Sequence, residues 1–172
     1  MNVTDEYKAA RDRLLELRTD YAAAKKEFSW PHLEYFNFGL DWFDVVASGE
    51  RARKEALVIV EEDGRQTRRT WRQLSRRSNQ VANWFRATGI KRGDRVILML
   101  TNQVELWEIM LAGIKHGVVM IPTTTQMGPS DLADRVDRGG AQWAIARAED
   151  LAKFSDVPGS YTLISVDTPS GT

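Results

Sequence analysis

Along residues 3–28 apolar side chains recur at alternating spacings of three and four: Tyr7, Ala10, Leu14, Leu17, Tyr21, Ala24 and Phe28. That rhythm sets them on one stripe and predicts a single amino-terminal helix over 1–28. It also matches a coiled-coil seam, so the stripe packs either on its own domain or on a partner helix, as in a homodimer. Residues 29–38 are aromatic-rich and irregular, and Pro31 breaks what precedes it. A second helix is predicted over 40–53, with Leu40, Phe43, Val46 and Ala47 on one side.

From residue 57 onward the pattern switches between short apolar runs and helical periodicity. Residues 57–60 read as a strand, Asp63-Gly64 as a two-residue hairpin turn with positive φ at both positions, and 66–70 as the return strand. Thr70 is placed to cap a helix whose face is Trp71, Leu74, Ser78, Val81, Ala82 and Phe85, and Gly89 is placed to close it. Residues 95–100 predict a buried strand. Asn102 and Glu105 form a capping-box-like start for a helix over 103–115 that only Gln103, Glu105, Glu108 and Lys115 interrupt with polar character. A strand over 118–121 ends at Pro122, and Pro129 suits the first turn of a helix over 129–137. Gly139-Gly140 breaks that helix. Strands over 143–146 and 163–166 flank a short helix near 148–154, and 167–172 reads as a loop. The succession strand, helix, strand implies an α/β fold: a mostly parallel sheet flanked by helices, with a small β-hairpin and an amino-terminal helix. Residues 29–172 are then one α/β unit following the helix.

Composition narrows the chemistry. The 172 residues contain no cysteine and two histidines, His32 and His116. This excludes disulfides, thiolate zinc sites and cysteine nucleophiles, and leaves no histidine-rich metal site. No apolar run approaches the ~20 residues of a membrane span. The start lacks the basic-then-apolar run of a secretory signal, and the expected location is cytoplasmic. The formal net charge is zero, yet residues 65–95 hold nine Arg, one Lys and a single acid, Asp94. On the helical wheel Arg72 and Arg76 lie opposite the apolar face, which reads as a solvated surface. No nucleic-acid-binding motif accompanies them, so no nucleic-acid partner is expected.

Among candidate sites, Glu61, Glu62 and Asp63 cluster at a turn tip, where carboxylates lack the contrasting environments that acid–base catalysis needs. His116, at a helix end without a carboxylate or nucleophile nearby in sequence, reads as structural. Ser170, Gly171 and Thr172 superficially resemble the start of a phosphate loop, but lack its glycines and lysine. The strongest candidate is 122–128, P-T-T-T-Q-M-G. It lies at the carboxyl end of a central strand, where α/β sites collect, and offers three hydroxyls and an amide. Its other reading is a turn that caps the next helix.

Several motifs occur in order: F-N-F-G-L-D at 36–41, T-W-x-x-L at 70–74, A-N-W-F-R-A-x-G-I-K-R-G-D-R-V at 82–96, E-L-W-E-I-M-L-A-G-I-K-H-G at 105–117, I-P-T-T-T-Q-M at 121–127 and D-L-x-D-R at 131–135. As a set they resemble the amino-terminal part of the AMP-forming acyl-CoA synthetases, over about residues 30–146. The T-T-T-Q-M version is most similar to the medium-chain branch, with acetate-type and aromatic-acid ligases as near alternatives. The resemblance implies a reaction joining a small carboxylic acid to ATP with Mg²⁺, then exchanging AMP for the thiol of coenzyme A. It implies that Gln126 contacts coenzyme A, with Thr125 as its neighbour, and it assigns no catalytic or metal-ligating residue here. The family's Ser/Thr-Gly-rich phosphate loop, ribose-binding aspartate and carboxy-terminal catalytic lysine are absent. The chain is therefore expected to be an amino-terminal piece of a longer ligase, inactive alone. A stand-alone binding or regulatory module of the same fold, or a helix-mediated interaction domain, are the other readings.

Overall fold

The computed structural model describes residues 2–166. The tail at 167–172, with the Ser170-Gly171-Thr172 resemblance to a phosphate loop, lies outside the described residues. The element order is α1 (Val3–Glu16), α2 (Tyr21–Glu27), a π-helix (Phe38–Asp44) running into α3 (Val45–Ser48), β1 (Glu55–Val60), β2 (Gln66–Thr70), α4 (Trp71–Thr88), β3 (Arg95–Met99), α5 (Val104–His116), β4 (Val119–Pro122), α6 (Pro129–Gly139), β5 (Trp143–Ala146), α7 (Ala148–Leu151) with a 3₁₀ turn (Ala152–Phe154), and β6 (Thr162–Ser165).

Strands β3 to β6 form one parallel sheet in the order β4-β3-β5-β6, and β1 and β2 pair antiparallel beside it. β3 is central and covered on both faces, which is why it reads as an unbroken apolar run. Its side chains alternate between two cores. Val96 and Leu98 pack with Phe85, Ile109, Ala112 and Ile145 under α4 and α5. Ile97 and Met99 pack with Leu132, Val136, Ala144, Ala146 and Phe154 under α6 and the 3₁₀ turn. A third cluster, Phe43, Ala47 and Leu74, joins the π-helix, α3 and α4. Pro122 is tolerated inside β4 because β4 is an edge strand; the ladder continues past it when Thr123 N–H donates to Leu98 O at 3.0 Å.

The amino-terminal helix is two helices. The chain turns at 17–20, and the Asp20 carboxylate accepts from Ala23 N at 2.9 Å to cap a new helix. The stripe is split accordingly. Tyr7 stacks on Phe36 at 4.7 Å and meets the edge of Trp42 at 5.0 Å. Leu17 is buried, while Tyr21 is 81% exposed. The helix predicted over 40–53 is also shorter: a π-helical stretch and one α-turn end at Gly49, burying Phe43 and Ala47 but leaving Leu40 exposed. Asn37 caps that stretch, its Oδ1 accepting from Gly39 N at 2.9 Å and Leu40 N at 3.1 Å.

The hairpin exists, but only Gly64 takes positive φ, at 83°. Gly64 N–H donates to Glu61 O and Glu61 N–H to Arg65 O, both at 2.9 Å, so the connection is a longer turn closed by a left-handed glycine. Thr70 caps α4 in a full capping box with Gln73, and Gly89 ends it at φ 95°. Asn102 is not the α5 cap. Gln103 holds that position without a side-chain cap bond, and Asn102 Oδ1 instead accepts from Trp107 Nε1 at 3.1 Å.

Two buried charges tie α4 to α5. The Lys115 side chain is 3% exposed. Its Nζ donates to Asp44 Oδ1 at 2.6 Å and to Ser78 Oγ and Asn79 Oδ1, both at 2.8 Å. Gly39 makes room for it, since a methyl group there would stand 2.6 Å from Lys115 Cγ. Glu108 is buried too, with Arg77 Nε at 3.3 Å from its carboxylate. Burial raises the Glu108 carboxyl above its ordinary range, and the half-exposed Arg77 offsets only part of this.

A carboxyl raised in the folded state keeps a proton that the unfolded chain has released. Stability then falls as pH climbs from the ordinary glutamate range through the raised folded value. Glu108→Gln is expected to raise the melting temperature at about pH 7, with the gain shrinking towards about pH 3, where both states are protonated. Thermal melts across that range check it, and a Gln variant less stable at neutral pH would contradict it.

Candidate functional site

The carboxyl ends of the parallel strands all open on one side of the sheet. The chain runs from β3 outward to β4, then returns past β3 to β5 and continues to β6. The switch point of the topology therefore lies between β3 and β5, where open α/β sheets place ligands. A cavity of about 500 Å³ lies there, lined among others by Arg65, Arg69, Thr101, Asn102, Gln103 and Arg147. Two of its arginines are already paired with carboxylates: Arg65 with Asp63 at 2.6 Å and Arg147 with Glu149 at 3.2 Å.

The 123–128 segment leaves the end of β4, the neighbour of β3 in the sheet. Thr123 is buried, its hydroxyl donating to Ile121 O at 3.1 Å. The chain then turns tightly. Met127 N–H donates to Thr124 O, and Gln126 N–H to Thr124 Oγ1, both at 3.3 Å. Gly128 precedes α6, and its carbonyl accepts from Leu132 N at 3.1 Å, but no side chain of the segment caps the helix. Thr125 is half-buried and Gln126 is exposed. The Gln126 side-chain amide has no protein partner among the described residues and remains free to donate and accept. The neighbouring cavity of about 540 Å³ is lined by Met127, Asp131, Arg135 and Arg138 with three others, and neither Thr125 nor Gln126 belongs to it.

Two cations brace the turn from outside. Lys153 Nζ donates to the Thr125 carbonyl and, at 2.7 Å, to Asp150 Oδ1. Arg135 Nη1 donates to Pro122 O at 3.3 Å, while its Nε lies 3.0 Å from Met127 Sδ. Neither brace is visible in the sequence, because each reaches its carbonyl across a loop.

Of the remaining candidates, Glu61 lines the switch-point cavity. His116 Nε2 meets Ile90 O at 2.8 Å, a structural contact. Glu61, Glu62 and Asp63 are exposed at the hairpin tip, and hydrogen bonds from Arg65 lower the Asp63 carboxyl. Arg72 and Arg76 are exposed, and His32 sits on an exposed loop. Among the described residues no group of three His, Asp or Glu could hold a metal ion, and no helix is long and apolar enough to cross a membrane.

A family model described as AMP-binding enzyme matches residues 43–170. The chain belongs to the AMP-binding enzyme family. It is 33% identical over 150 residues to the human mitochondrial acyl-coenzyme A synthetase ACSM2B, an alignment covering 81% of this chain and 26% of the relative. It is 32% identical over 132 residues to the mitochondrial acyl-coenzyme A synthetase ACSM3 of Pongo abelii, covering 74% of this chain and 22% of the relative. Among solved structures, an acyl-CoA synthetase of Brucella canis superposes with a TM-score of 0.66 at 25% identity, over 73% of this chain and 23% of that one. A benzoate CoA ligase of Burkholderia xenovorans LB400 shares the fold with the same TM-score, 0.66, at 23% identity, over 77% of this chain and 26% of that one. The chain thus spans about a quarter of the length of the curated relatives it matches. The parallel sheet with flanking helices is the architecture of these enzymes' amino-terminal region.

Proposed function

We propose that this chain is the amino-terminal part of an AMP-forming acyl-CoA ligase. The whole enzyme would join a small carboxylic acid to ATP with Mg²⁺ and pass the acyl group to coenzyme A. Membership of the AMP-binding enzyme family, with acyl-coenzyme A synthetases as relatives, carries this reading. The T-T-T-Q-M segment at 123–127 favours the medium-chain branch.

In this scheme the described residues supply a scaffold and one wall that faces the coenzyme. Gln126 is the contact and Thr125 its neighbour. An exposed amide without a protein partner fits the amide-bearing arm of coenzyme A, which needs both a donor and an acceptor. The coenzyme supplies the thiol that takes the acyl group, and these residues only bind and orient it. None of them is assigned to ATP or Mg²⁺, since no phosphate loop with a lysine occurs in the sequence. A cytoplasmic location fits a sequence without cysteine.

The test is an assay of the protein encoded by the complete reading frame. Acid-dependent pyrophosphate release from ATP, then acyl-CoA formation, is expected over a panel of short and medium carboxylic acids. The 172-residue chain alone is expected to release none. Failure of the complete protein on the whole panel would overturn the ligase reading. Release by the 172 residues alone would overturn the assignment of ATP chemistry elsewhere.

A further inference from the structure

We infer that Lys153 is a positioning residue for the coenzyme-facing turn, acting together with Arg135. This rests on the coenzyme reading of Gln126. Tight turns leave carbonyl groups pointing outward, and a turn of polar residues has several conformations of similar energy. Here two carbonyls of the segment are each held by a cation. Arg135, from α6, takes Pro122 O where the turn leaves β4. Lys153, from the 3₁₀ turn after α7, takes Thr125 O at the turn's apex, one residue before Gln126.

Lys153 is itself held. Asp150, with its side chain only 9% exposed, pairs with it at 2.7 Å. Asp150 is fixed in turn at the start of α7, where its N–H donates to Arg147 O at 2.9 Å. The ammonium group is thus aimed by a buried carboxylate at one backbone oxygen. Fixing the Thr125 carbonyl fixes the peptide plane between Thr125 and Gln126, and with it the direction in which the Gln126 side chain leaves the backbone. The geometry also runs from β5 to β4: the brace links the segment following one strand end to the loop following another, across the mouth of the sheet.

A hydrogen bond from a charged donor to a backbone carbonyl is among the stronger ones, and its loss at a positioning site shifts affinity by about tenfold. Lys153→Met in the complete protein is expected to raise the KM for coenzyme A by about that factor while the KM for ATP stays within about twofold. Amide hydrogen exchange at Gln126 and Met127 should accelerate, with exchange in β3 unchanged. Lys153→Arg keeps a donor and should recover most of the coenzyme KM.

Gln126→Ala separates the two claims. If Gln126→Ala raises the coenzyme KM but Lys153→Met does not, the positioning role is wrong and the coenzyme reading stands. If Gln126→Ala leaves it unchanged, the coenzyme reading fails and the inference falls with it. If Lys153→Met speeds exchange in β3 as much as in the turn, Lys153 merely supports the fold and the positioning role is also wrong.

Discussion

Replacing Lys115 with methionine is expected to cost about 3 kcal/mol of folding stability, because it removes the cation from a nearly buried ionic cluster. The lysine stem crosses between α5 and the π-helix, and its ammonium finds three side-chain oxygens within 2.8 Å, from Asp44, Ser78 and Asn79. Methionine has similar volume, so packing changes little and the loss is electrostatic. What remains is an Asp44 carboxylate whose side chain is 24% exposed, left with the Ser75 hydroxyl at 2.7 Å as donor. That partial exposure keeps the cost at the lower end of the range for breaking buried pairs. Asp44→Asn should cost at least as much as Lys115→Met, because it leaves the more deeply buried ammonium without an anion, and the two should be non-additive, since they remove the same interaction. Urea unfolding of the three variants measures both quantities. A Lys115→Met loss below about 1 kcal/mol would show that the cluster contributes little beyond its desolvation cost.

Phe85→Ala should cost more, about 3–5 kcal/mol. Phe85 is fully buried, on the face of α4 that lies over the sheet. It packs with Val96 and Leu98 of β3, Ile109 and Ala112 of α5 and Ile145 of β5, so its removal opens a void with walls on three elements. These walls cannot all collapse, because the strands are held in register by parallel pairing from Arg95 to Leu98 and from Val96 to Met99. The cost is therefore the lost burial plus most of the cavity. Chemical denaturation reads it directly. An alanine variant within about 1.5 kcal/mol of the parent would mean that the α4 layer repacks freely.

Much of the fold was legible because its signals are local. The capping box at Thr70 and Gln73, the left-handed glycine at Gly89, and the apolar runs of β3 and β5 each depend on neighbours a few residues away. Long-range partners were not legible. The 7-14-17-21 stripe has the same rhythm whether the helix is continuous or broken. Only Asp20, a cap at the right place, marked the restart at Tyr21. The pattern N-x-x-E at 102–105 mimics a capping box, yet the Trp107 indole claims Asn102 and moves the cap by one residue. Glu108 and Lys115 looked like polar interruptions of an apolar helix. They are buried because their partners Arg77, Asp44 and Ser78 sit on elements 31 to 71 residues away.

The same division holds at the site. The position of 122–128 at the end of a parallel strand follows from strand order and was readable from sequence. The free amide of Gln126 and the braces from Lys153 and Arg135 depend on how the turn folds back between α6 and α7. The segment does cap α6, as the other reading of 122–128 expects, but through the Gly128 backbone and with no side chain.

The most direct test is a titration of coenzyme A into the isotope-labelled protein, followed by backbone amide shifts. Saturable shifts at Thr124 to Met127, lost in Gln126→Ala, are the predicted result. Shifts confined to the exposed Arg72 and Arg76 face of α4, or no saturable shift at all, would contradict the assignment of this turn to the coenzyme.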